Sequence, residues 1–425
     1  MNPALSRAKA VTAYQILQES LEAVLKKGVP ADAFLARKFR QDKRFGSKDR
    51  RYIRDIVFSY FRWRGAVLAG FPEEPSFSGV LASLIAERFP EDLLSGWLEL
   101  AEKSPEEVRE ALQKEHPLER ISCFCGVEIP AESVLPEWSR PMLEPRFAEW
   151  FQKRPCIWLR SEHSDLPERL AGHGIEITAH ETIPHAYRCL SLNVNLYDLP
   201  EYREGLFEVQ DLSSQAIGLT AAPSPGEHWF DACAGAGGKT LQLLSMLKGT
   251  GSVLSSDLSA IRLEELKKRA ERSGRKIRVE THDLTKPLPR SLHGKFDGVL
   301  VDAPCSSSGR WRRNPETRWQ SSRERVLEFA SLQQKILENA SQAVKPGGIL
   351  VYATCSAFAE ENENQVEKFL SLHFDFALDE NGCILLNDKK SGMLRVSPWD
   401  ADCDASFAAR LRRKKLPEDA SLPQQ

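Results

Sequence analysis

The chain has 425 residues, of which 41% are hydrophobic and 28% charged, a composition typical of a globular protein and not of a disordered one. No uncharged apolar stretch approaches the ~18 residues that a membrane span needs, and the N-terminus lacks the apolar core of a signal peptide. We therefore expect a cytoplasmic protein with no membrane partner. The net charge of −2 does not indicate a nucleic-acid partner, and the nine cysteines contain no CxxC pair, which argues against a metal site.

Residues 1–130 are predicted to be helical, because apolar residues such as Leu17, Leu21 and Leu25 recur at helical spacing. Charge is unevenly distributed in this region. Residues 36–64 hold eleven Lys and Arg against three Asp, whereas residues 71–150 hold seven Lys and Arg against seventeen Asp and Glu. A basic segment beside an acidic one is typical of a polyanion-binding surface or of two solvated helix faces, and charge alone does not separate the two.

The pattern changes after residue 130. Residues 131–222 begin with a proline-rich linker and continue as short strands and helices, which indicates a small α/β module. Residues 223–415 alternate strands with helices, which predicts a parallel sheet covered on both faces. Residues 416–425 are predicted to be a disordered tail. The predicted fold class is therefore α/β, preceded by an all-helical domain.

The loop at 233–240, CAGAGGKT, follows the first predicted strand of this region. It misses both the P-loop and the dinucleotide-binding patterns by one residue, but its glycines still permit close approach of a ligand to the backbone. Asp257 ends the next strand, where a carboxylate can bind ribose hydroxyls, and Asp283 ends the third. A ribose and a base without a pyrophosphate fit S-adenosylmethionine. Each aspartate taken alone is better explained as a turn residue, and it is the combination with the glycine loop that favours cofactor binding.

Two cysteines follow two further strands. Cys305 comes after Asp302-Ala303-Pro304, and Cys355 comes after Thr354. Adjacent parallel strands lie ~4.8 Å apart, so the two thiols can share one cleft. A thiolate that adds to carbon 6 of a pyrimidine makes carbon 5 nucleophilic, and Asp302 can hydrogen-bond the amidine edge of a cytosine. Either cysteine alone fits a small buried hydrophobe, and position does not tell which thiol attacks.

Four segments carry a family resemblance: FEVQDLSSQ (207–215), DACAGAGGKT (231–240), FDGVLVDAPCSSSGRWRRNPETRW (296–319) and VYATCSAFAEENENQVEKFL (351–370). Over about residues 135–415 they resemble the Sun/Fmu-type RNA (cytosine-5) methyltransferases. The N-terminal RRYIRDIVFSYFRWR resembles the NusB-like RNA-binding domain of the bacterial small-subunit rRNA branch. The resemblance implies a Rossmann-like class I S-adenosylmethionine-dependent methyltransferase domain at 223–415. It also implies a NusB-like domain at 1–130 and a small RNA-binding module at 131–222. Separately from the resemblance, we expect a monomer.

The resemblance also assigns residues. Cys355 would be the nucleophile, Cys305 would assist product release, and Lys239 and Asp302 would shape the base pocket. The cofactor S-adenosylmethionine would be bound by Cys233, Ala234, Gly235, Ala236, Gly237, Gly238, Lys239, Asp257, Arg262, Asp283 and Asp302. RNA would be held by Arg310, Arg312, Arg313 and Arg318. Independently of the resemblance, the mix of these arginines with Trp311 and Trp319, and a second basic cluster at Arg410–Lys415, fits phosphate neutralisation and base stacking, or else a solvated loop.

Two positions depart from the family pattern. Ala236 stands where the family often has proline, and Asp404-Ala405-Ser406-Phe407 stands where it often has Asp-Gly-Phe-Phe. The expected activity is methylation of carbon 5 of a cytosine in RNA, with small-subunit rRNA as the target. The alternatives are the same chemistry on tRNA and a non-catalytic RNA-binding ribosome assembly factor. DNA methylation fits poorly, because DNA cytosine-5 enzymes do not need the second cysteine.

Overall fold

The structure, a computed structural model, describes residues 3–191, 194–380 and 392–415. The chain folds into two compact units. The helical unit comprises Met1–Arg154 together with Arg310–Arg323, and the sheet unit comprises Pro155–Gly309 together with Glu324–Gln425. The predicted tail at 416–425 lies outside the described residues.

The helices are numbered in chain order: α1 (Pro3–Leu21), α2 (Ala31–Gln41), α3 (Ser47–Gly70), α4 (Phe77–Ala86), α5 (Glu91–Leu100), α6 (Pro105–Leu112), α7 (Pro117–Cys125), α8 (Arg146–Trp150), α9 (Leu166–Ala171), α10 (Pro200–Arg203), α11 (Leu212–Ala221), α12 (Gly238–Met246), α13 (Ala260–Arg272), α14 (Thr317–Gln320), α15 (Arg323–Ser341), α16 (Glu363–Leu372) and α17 (Pro398–Ala401). The strands are β1 (Ile157–Arg160), β2 (Ile177–Ala179), β3 (Ala186–Cys189), β4 (Glu208–Val209), β5 (His228–Asp231), β6 (Ser252–Asp257), β7 (Arg278–Thr281), β8 (Phe296–Asp302), β9 (Val344–Thr354), β10 (Phe376–Leu378), β11 (Met393–Val396) and β12 (Ser406–Arg413).

The helical unit forms as the apolar spacing predicts. Helix α3 buries one face, with Ile53, Val57 and Phe61 almost fully inaccessible to solvent. Helix α6 begins with a capping box, in which Ser104 Oγ accepts from Glu107 N and the Glu107 carboxylate accepts from Ser104 N. Among the described residues, no helix is both long enough and apolar enough to cross a membrane.

The boundary predicted at residue 130 differs from the structure. The helical unit continues to Arg154 and takes in Arg310–Arg323, which the sequence placed in the methyltransferase domain. The physical reason is aromatic packing. The fully buried Trp311 ring stands edge-on to Phe151 at 5.5 Å and to Trp138 at 6.2 Å between ring centroids.

The sheet unit contains two sheets within the described residues. The larger has the strand order β10-β12-β9-β8-β5-β6-β7, with β11 paired to β12. Strands β9, β8, β5, β6 and β7 pair in parallel, as the alternation of strands and helices predicted, and β12 runs antiparallel to β9. The smaller sheet is antiparallel, with the order β2-β3-β1-β4, and it forms the predicted small α/β module.

Alternate residues of the central strands pack on opposite faces of the larger sheet. Val299 and Val301 of β8 join a core cluster on one face with Phe230. Leu300 joins the cluster on the other face with Trp229. Because successive side chains of a strand point to opposite faces, both faces are apolar and both are covered. Polar groups are therefore displaced to the strand ends, where the candidate site lies.

Candidate active site

The glycine loop joins β5 to α12 as predicted. Gly235 and Gly237 have positive φ angles of +53° and +88°, which L-residues rarely adopt. A Cβ on Gly237 would lie 2.0 Å from Leu266 Cδ1, so the loop can approach α13 only with glycine there. A Cβ on Gly235 would meet nothing within 4 Å, so that part of the loop faces open space. The loop therefore offers backbone to a ligand.

The other loop residues serve as its framework. Ala234 N donates to Ser256 O at 2.8 Å, and Ala236 O accepts from Arg269 Nη1 at 2.7 Å. Burial raises the pKa of the Cys233 thiol well above its ordinary range, with the Asp231 and Asp302 carboxylates adding to the effect. Cys233 is therefore a neutral thiol in the wall of the loop and not a nucleophile.

The two aspartates predicted to bind the cofactor both make local turn contacts. Asp257, almost fully buried, accepts from Gly235 N at 2.9 Å and from Ser259 N at 2.8 Å. Asp283 is half-buried and accepts from the Thr285 amide and hydroxyl, which together hold its pKa below the ordinary range. An ionised carboxylate has about four acceptor positions, so both retain capacity for a ligand. Arg262 lies exposed in the first turn of α13.

Lys239 and Asp302 form an ion pair where α12 begins and β8 ends. Their Nζ and Oδ2 atoms are 2.6 Å apart, and the side chains are 12% and 29% exposed. Burial alone would lower the pKa of Lys239, but the Asp302 carboxylate outweighs it and the pKa is raised. Lys239 therefore stays protonated. Behind it, burial raises the pKa of Asp231 to about 7, while Thr240 Oγ1 donates to its carboxylate at 2.6 Å.

The two candidate thiols meet. Strands β8 and β9 are parallel neighbours, with Asp302 opposite Ala353 in register. The Sγ atoms of Cys305 and Cys355 are 3.3 Å apart, and both cysteines are partly exposed. The hydrogen bond to Cys355 and burial together raise the pKa of Cys305 well above its ordinary range. Cys305 is therefore a neutral thiol that can donate to Cys355.

Glu361 ties the two cysteine loops together, and the sequence analysis missed it. Its buried carboxylate accepts from Ser306 N at 2.8 Å and from Gln333 Nε2 at 3.0 Å, as well as from the hydroxyls of Ser306 and Ser356. Ser306 follows one candidate cysteine and Ser356 follows the other. Burial raises the pKa of Glu361, and these donors oppose that effect. Nothing in the acidic run of residues 360–363 distinguished this glutamate from a solvated one.

The departure at 404–407 lies beside the same loops. Gly309 N donates to Cys355 O at 3.0 Å, and Ala405 N donates to Gly309 O at 3.0 Å. A Cβ on Gly309 would lie 2.1 Å from Ala405 O, so glycine is required for this approach. Phe407 lies opposite Thr354 in the β9–β12 pairing and is fully buried. The segment thus leads into β12, which runs antiparallel to β9.

The basic residues predicted to hold RNA separate into two groups. Arg312 and Arg318 are fully buried, which does not support the predicted contact with RNA. The Arg318 guanidinium donates to the carbonyls of Val134, Phe151 and Trp311 at 2.9–3.0 Å, all within the helical unit. Arg310 is exposed and Arg313 half-buried, and both remain candidates.

Three further side chains given an RNA role also have structural contacts. Trp311 is fully buried, and Trp319 Nε1 donates to Phe61 O at 2.7 Å. In the second basic cluster, Arg410 is 8% exposed and pairs with Asp379 at 3.0 Å. These contacts account for all three side chains without a stacked base or a phosphate.

The mostly parallel sheet, with an apolar core cluster on each face, is the predicted Rossmann-like fold. Residues 218–412 match the family model described as "16S rRNA methyltransferase RsmB/F", which confirms the predicted resemblance over that range. A relative from Salmonella typhi named "Ribosomal RNA small subunit methyltransferase B" is 36% identical over 274 residues. These residues are 63% of this chain and 62% of the relative, so the chain matches less than two thirds of that protein's length.

Two solved structures share the fold. The structure titled "Crystal Structure of PH0851" superposes with a TM-score of 0.70 at 24% identity, covering 97% of this chain and 99% of that one. A "Methyltransferase Homolog Protein from Pyrococcus Horikoshii" gives a TM-score of 0.52 at 26% identity, covering 74% of this chain and all of that one. The first likeness extends over almost the whole chain, so the helical unit is part of the shared architecture.

Proposed function

We propose that the chain is an RNA methyltransferase that transfers a methyl group from S-adenosylmethionine to carbon 5 of a cytosine, with small-subunit rRNA as the target. The observation that carries this proposal is the 3.3 Å separation of the Cys305 and Cys355 thiols at the ends of two adjacent strands, in the same sheet edge as the Lys239–Asp302 pair. Methylation of an amino group or an oxygen needs no thiol, whereas carbon 5 of a pyrimidine needs a nucleophile at carbon 6.

The glycine loop and its aspartates fit the cofactor. Open space lies in front of Gly235, and Asp257, at the end of β6, is placed to accept from ribose hydroxyls. One oxygen of the buried Asp231 carboxylate has no hydrogen-bond partner among the described residues, which leaves an acceptor below the loop. When bound, S-adenosylmethionine supplies the electrophilic methyl group that carbon 5 accepts.

The ion pair prepares the base. Asp302 keeps acceptor capacity beyond its bond to Lys239, and its side chain is 29% exposed. It can therefore accept from the exocyclic amine and a protonated ring nitrogen of cytosine. Protonation draws electrons from carbon 6 and makes that atom more electrophilic. Lys239 stays protonated throughout, because its own pKa is raised, and it holds the Asp302 carboxylate in place through their 2.6 Å contact.

Cys355 performs the covalent step. Its sulfur, as the thiolate, forms a bond to carbon 6, and the electron pair of the 5,6 double bond moves to make carbon 5 nucleophilic. Carbon 5 then takes the methyl group. Removal of the proton from carbon 5 restores the double bond and expels the Cys355 thiolate, which returns the site to its starting state.

Cys305 has the role of release. Its pKa is raised, so in the resting site it holds its proton and can donate a hydrogen bond to the Cys355 sulfur. It is also the neighbouring thiol within contact distance of the sulfur that must depart. From this position the Cys305 thiol can donate a proton to the Cys355 sulfur as that sulfur leaves carbon 6. It can also share a proton with the group that removes the proton from carbon 5.

The test uses radiolabelled S-adenosylmethionine, small-subunit rRNA and three cysteine variants. We expect Cys355→Ala to abolish methyl transfer while cofactor affinity stays within about tenfold. We expect Cys305→Ala to accumulate a covalent protein–RNA adduct on denaturing gels. Cys123→Ala, in the helical unit, is the matched control and should behave as the wild type. An adduct with Cys355→Ala in place of Cys305→Ala would reverse the two roles.

The target is tested by bisulfite mapping of total RNA from cells that lack the protein. Loss of one methylated cytosine in small-subunit rRNA is the expected result, supported by the family that residues 218–412 match. Loss of a tRNA site would move the same chemistry to tRNA. An unchanged map would contradict the methyltransferase proposal and favour an RNA-binding assembly factor.

A further inference from the structure

A polar cleft lies within the sheet unit, where the end of β1 meets α12 and the segment after α13. It is lined by Arg160, Glu162, His163, Glu208, Ser273 and Arg275 among others. None of these residues belongs to the candidate active site. Gly205 in its wall packs closely on the segment after α13, since it has φ +76° and a Cβ there would lie 2.5 Å from Arg272 O.

Arg160 is the central group of this cleft. The residue is 8% exposed, and its Nε donates to Gln210 Oε1 at 2.7 Å. Among the described residues its Nη1 and Nη2 atoms have no hydrogen-bond partner, although the side chain lines the cleft. Burial lowers the pKa of Arg160 to about 10. A desolvated guanidinium without an acceptor for its outer nitrogens is costly unless an anion binds it.

The neighbouring carboxylates are already engaged. Glu208 accepts from Arg269 at 2.8 Å and from Arg272, and Glu162 accepts from Arg275 at 2.7 Å. The lining itself carries Arg160 and Arg275 against Glu162 and Glu208, so its formal charge is balanced. Arg269 and Arg272 bind Glu208 from outside the lining, so the wider network has four guanidinium groups against two carboxylates, an excess of two positive charges around the cleft. Such an excess in a cleft attracts an anion, and the paired nitrogens of arginine match two oxygens of a phosphate.

We propose that this cleft binds a phosphodiester group of the RNA substrate, with Arg160 as the principal ligand and Arg275 as the second. The inference rests on the proposed function, because it takes RNA as the polyanion. It adds a positioning contact outside the catalytic cysteines. Arg269 extends the same charge network to the cofactor loop, since it donates both to Glu208 and to Ala236 O.

The experiment measures binding of a fluorescein-labelled single-stranded fragment of small-subunit rRNA by fluorescence anisotropy, over a series of salt concentrations. Arg160→Gln should weaken binding about tenfold, and the slope of log K against log salt should become shallower by ~0.7, as expected for one lost phosphate contact. Arg275→Gln should also weaken binding and make the salt slope shallower. It serves as the second variant if Arg160→Gln does not fold. Arg278→Gln, at a side chain 72% exposed outside the cleft, is the matched control and should change neither quantity.

The outcomes separate this inference from the proposed function. If both cleft variants have the RNA affinity and the salt slope of the wild type, the phosphodiester site is wrong. Methyl transfer by the wild type would still support the proposed function in that case. If inorganic phosphate raises the melting temperature of the wild type but not of Arg160→Gln, and RNA affinity is unchanged, the cleft takes a free anion and the RNA assignment is wrong. A wild type that neither binds nor methylates RNA would refute the function itself.

Discussion

Replacing Glu361 should disconnect the two cysteine loops. In Glu361→Ala the Ser306 amide loses its acceptor, whereas Gln333 keeps Pro304 O at 3.0 Å and the serine hydroxyls keep one another at 3.1–3.4 Å. One unsatisfied buried donor costs about 1–3 kcal/mol, and the cavity adds to that. We expect the free energy of unfolding to fall by about 3 kcal/mol. Glu361→Gln keeps the volume and one acceptor oxygen, and should cost about 1 kcal/mol.

Activity should fall further than stability. A displacement of reacting groups by about 1 Å can reduce a rate by ~100-fold, so Glu361→Gln should lower kcat for methyl transfer by about that factor while the chain remains folded. Urea unfolding gives the stability, and radiolabel transfer to RNA gives kcat. Glu360→Gln, at the half-buried neighbouring position, is the control. If kcat falls only in proportion to the folded fraction, Glu361 supports the fold alone and the positioning role is refuted.

Three further predictions concern other buried charges. Arg318→Met should lower the free energy of unfolding by about 3 kcal/mol, because three carbonyls lose their donor, and it should leave RNA affinity unchanged. Arg310→Gln should lower RNA affinity and leave the free energy of unfolding unchanged. A loss of RNA affinity with full stability in Arg318→Met would contradict the structural role of Arg318. Burial raises the pKa of Glu316 from 4.5 to about 7, so the stability that its protonated form contributes is complete below pH 4.5 and is lost by about pH 7. Glu316→Gln should remove this decline of up to ~3 kcal/mol from the pH dependence of the melting curves. A pH dependence of stability equal to that of the wild type would contradict the prediction. Asp302→Asn should lower kcat ~100-fold in radiolabel transfer to RNA, and an unaffected kcat would remove Asp302 from the base pocket.

The order of elements and the strand-end positions of the candidate residues follow from local pattern. Alternating strands and helices predicted the parallel sheet, and the register of β8 with β9 then brings Cys305 and Cys355 together. The sequence placed them in one cleft because strand ends of a parallel sheet meet at one edge. It could not say which thiol attacks, because both lie at equivalent positions in that pattern.

Burial of charge was the main source of error. Arginine is rarely buried without partners, so a run such as Arg310, Arg312 and Arg313 is expected to face solvent. The sequence does not show which of these arginines has carbonyl groups as partners and is buried. The partners of Arg318 are backbone oxygens from Val134 and Phe151, more than 150 residues away in the sequence. The residues near Arg318 in the sequence do not show that distant backbone carbonyls accept its hydrogen bonds. For the same reason Glu361 could not be distinguished from its acidic neighbours.

The assignment of Arg310–Arg323 to the helical unit has a consequence for biosynthesis. The chain leaves the sheet unit after β8, contributes this segment to the other unit, and returns to begin α15. The buried partners of Phe151 and Val134 are therefore translated only after strands β1 to β8 have been made, which include four of the eight strands of the larger sheet. An amino-terminal fragment ending near residue 154 would lack Trp311 and Arg318, so on the ribosome the first unit to emerge cannot complete its interior until much of the second has followed.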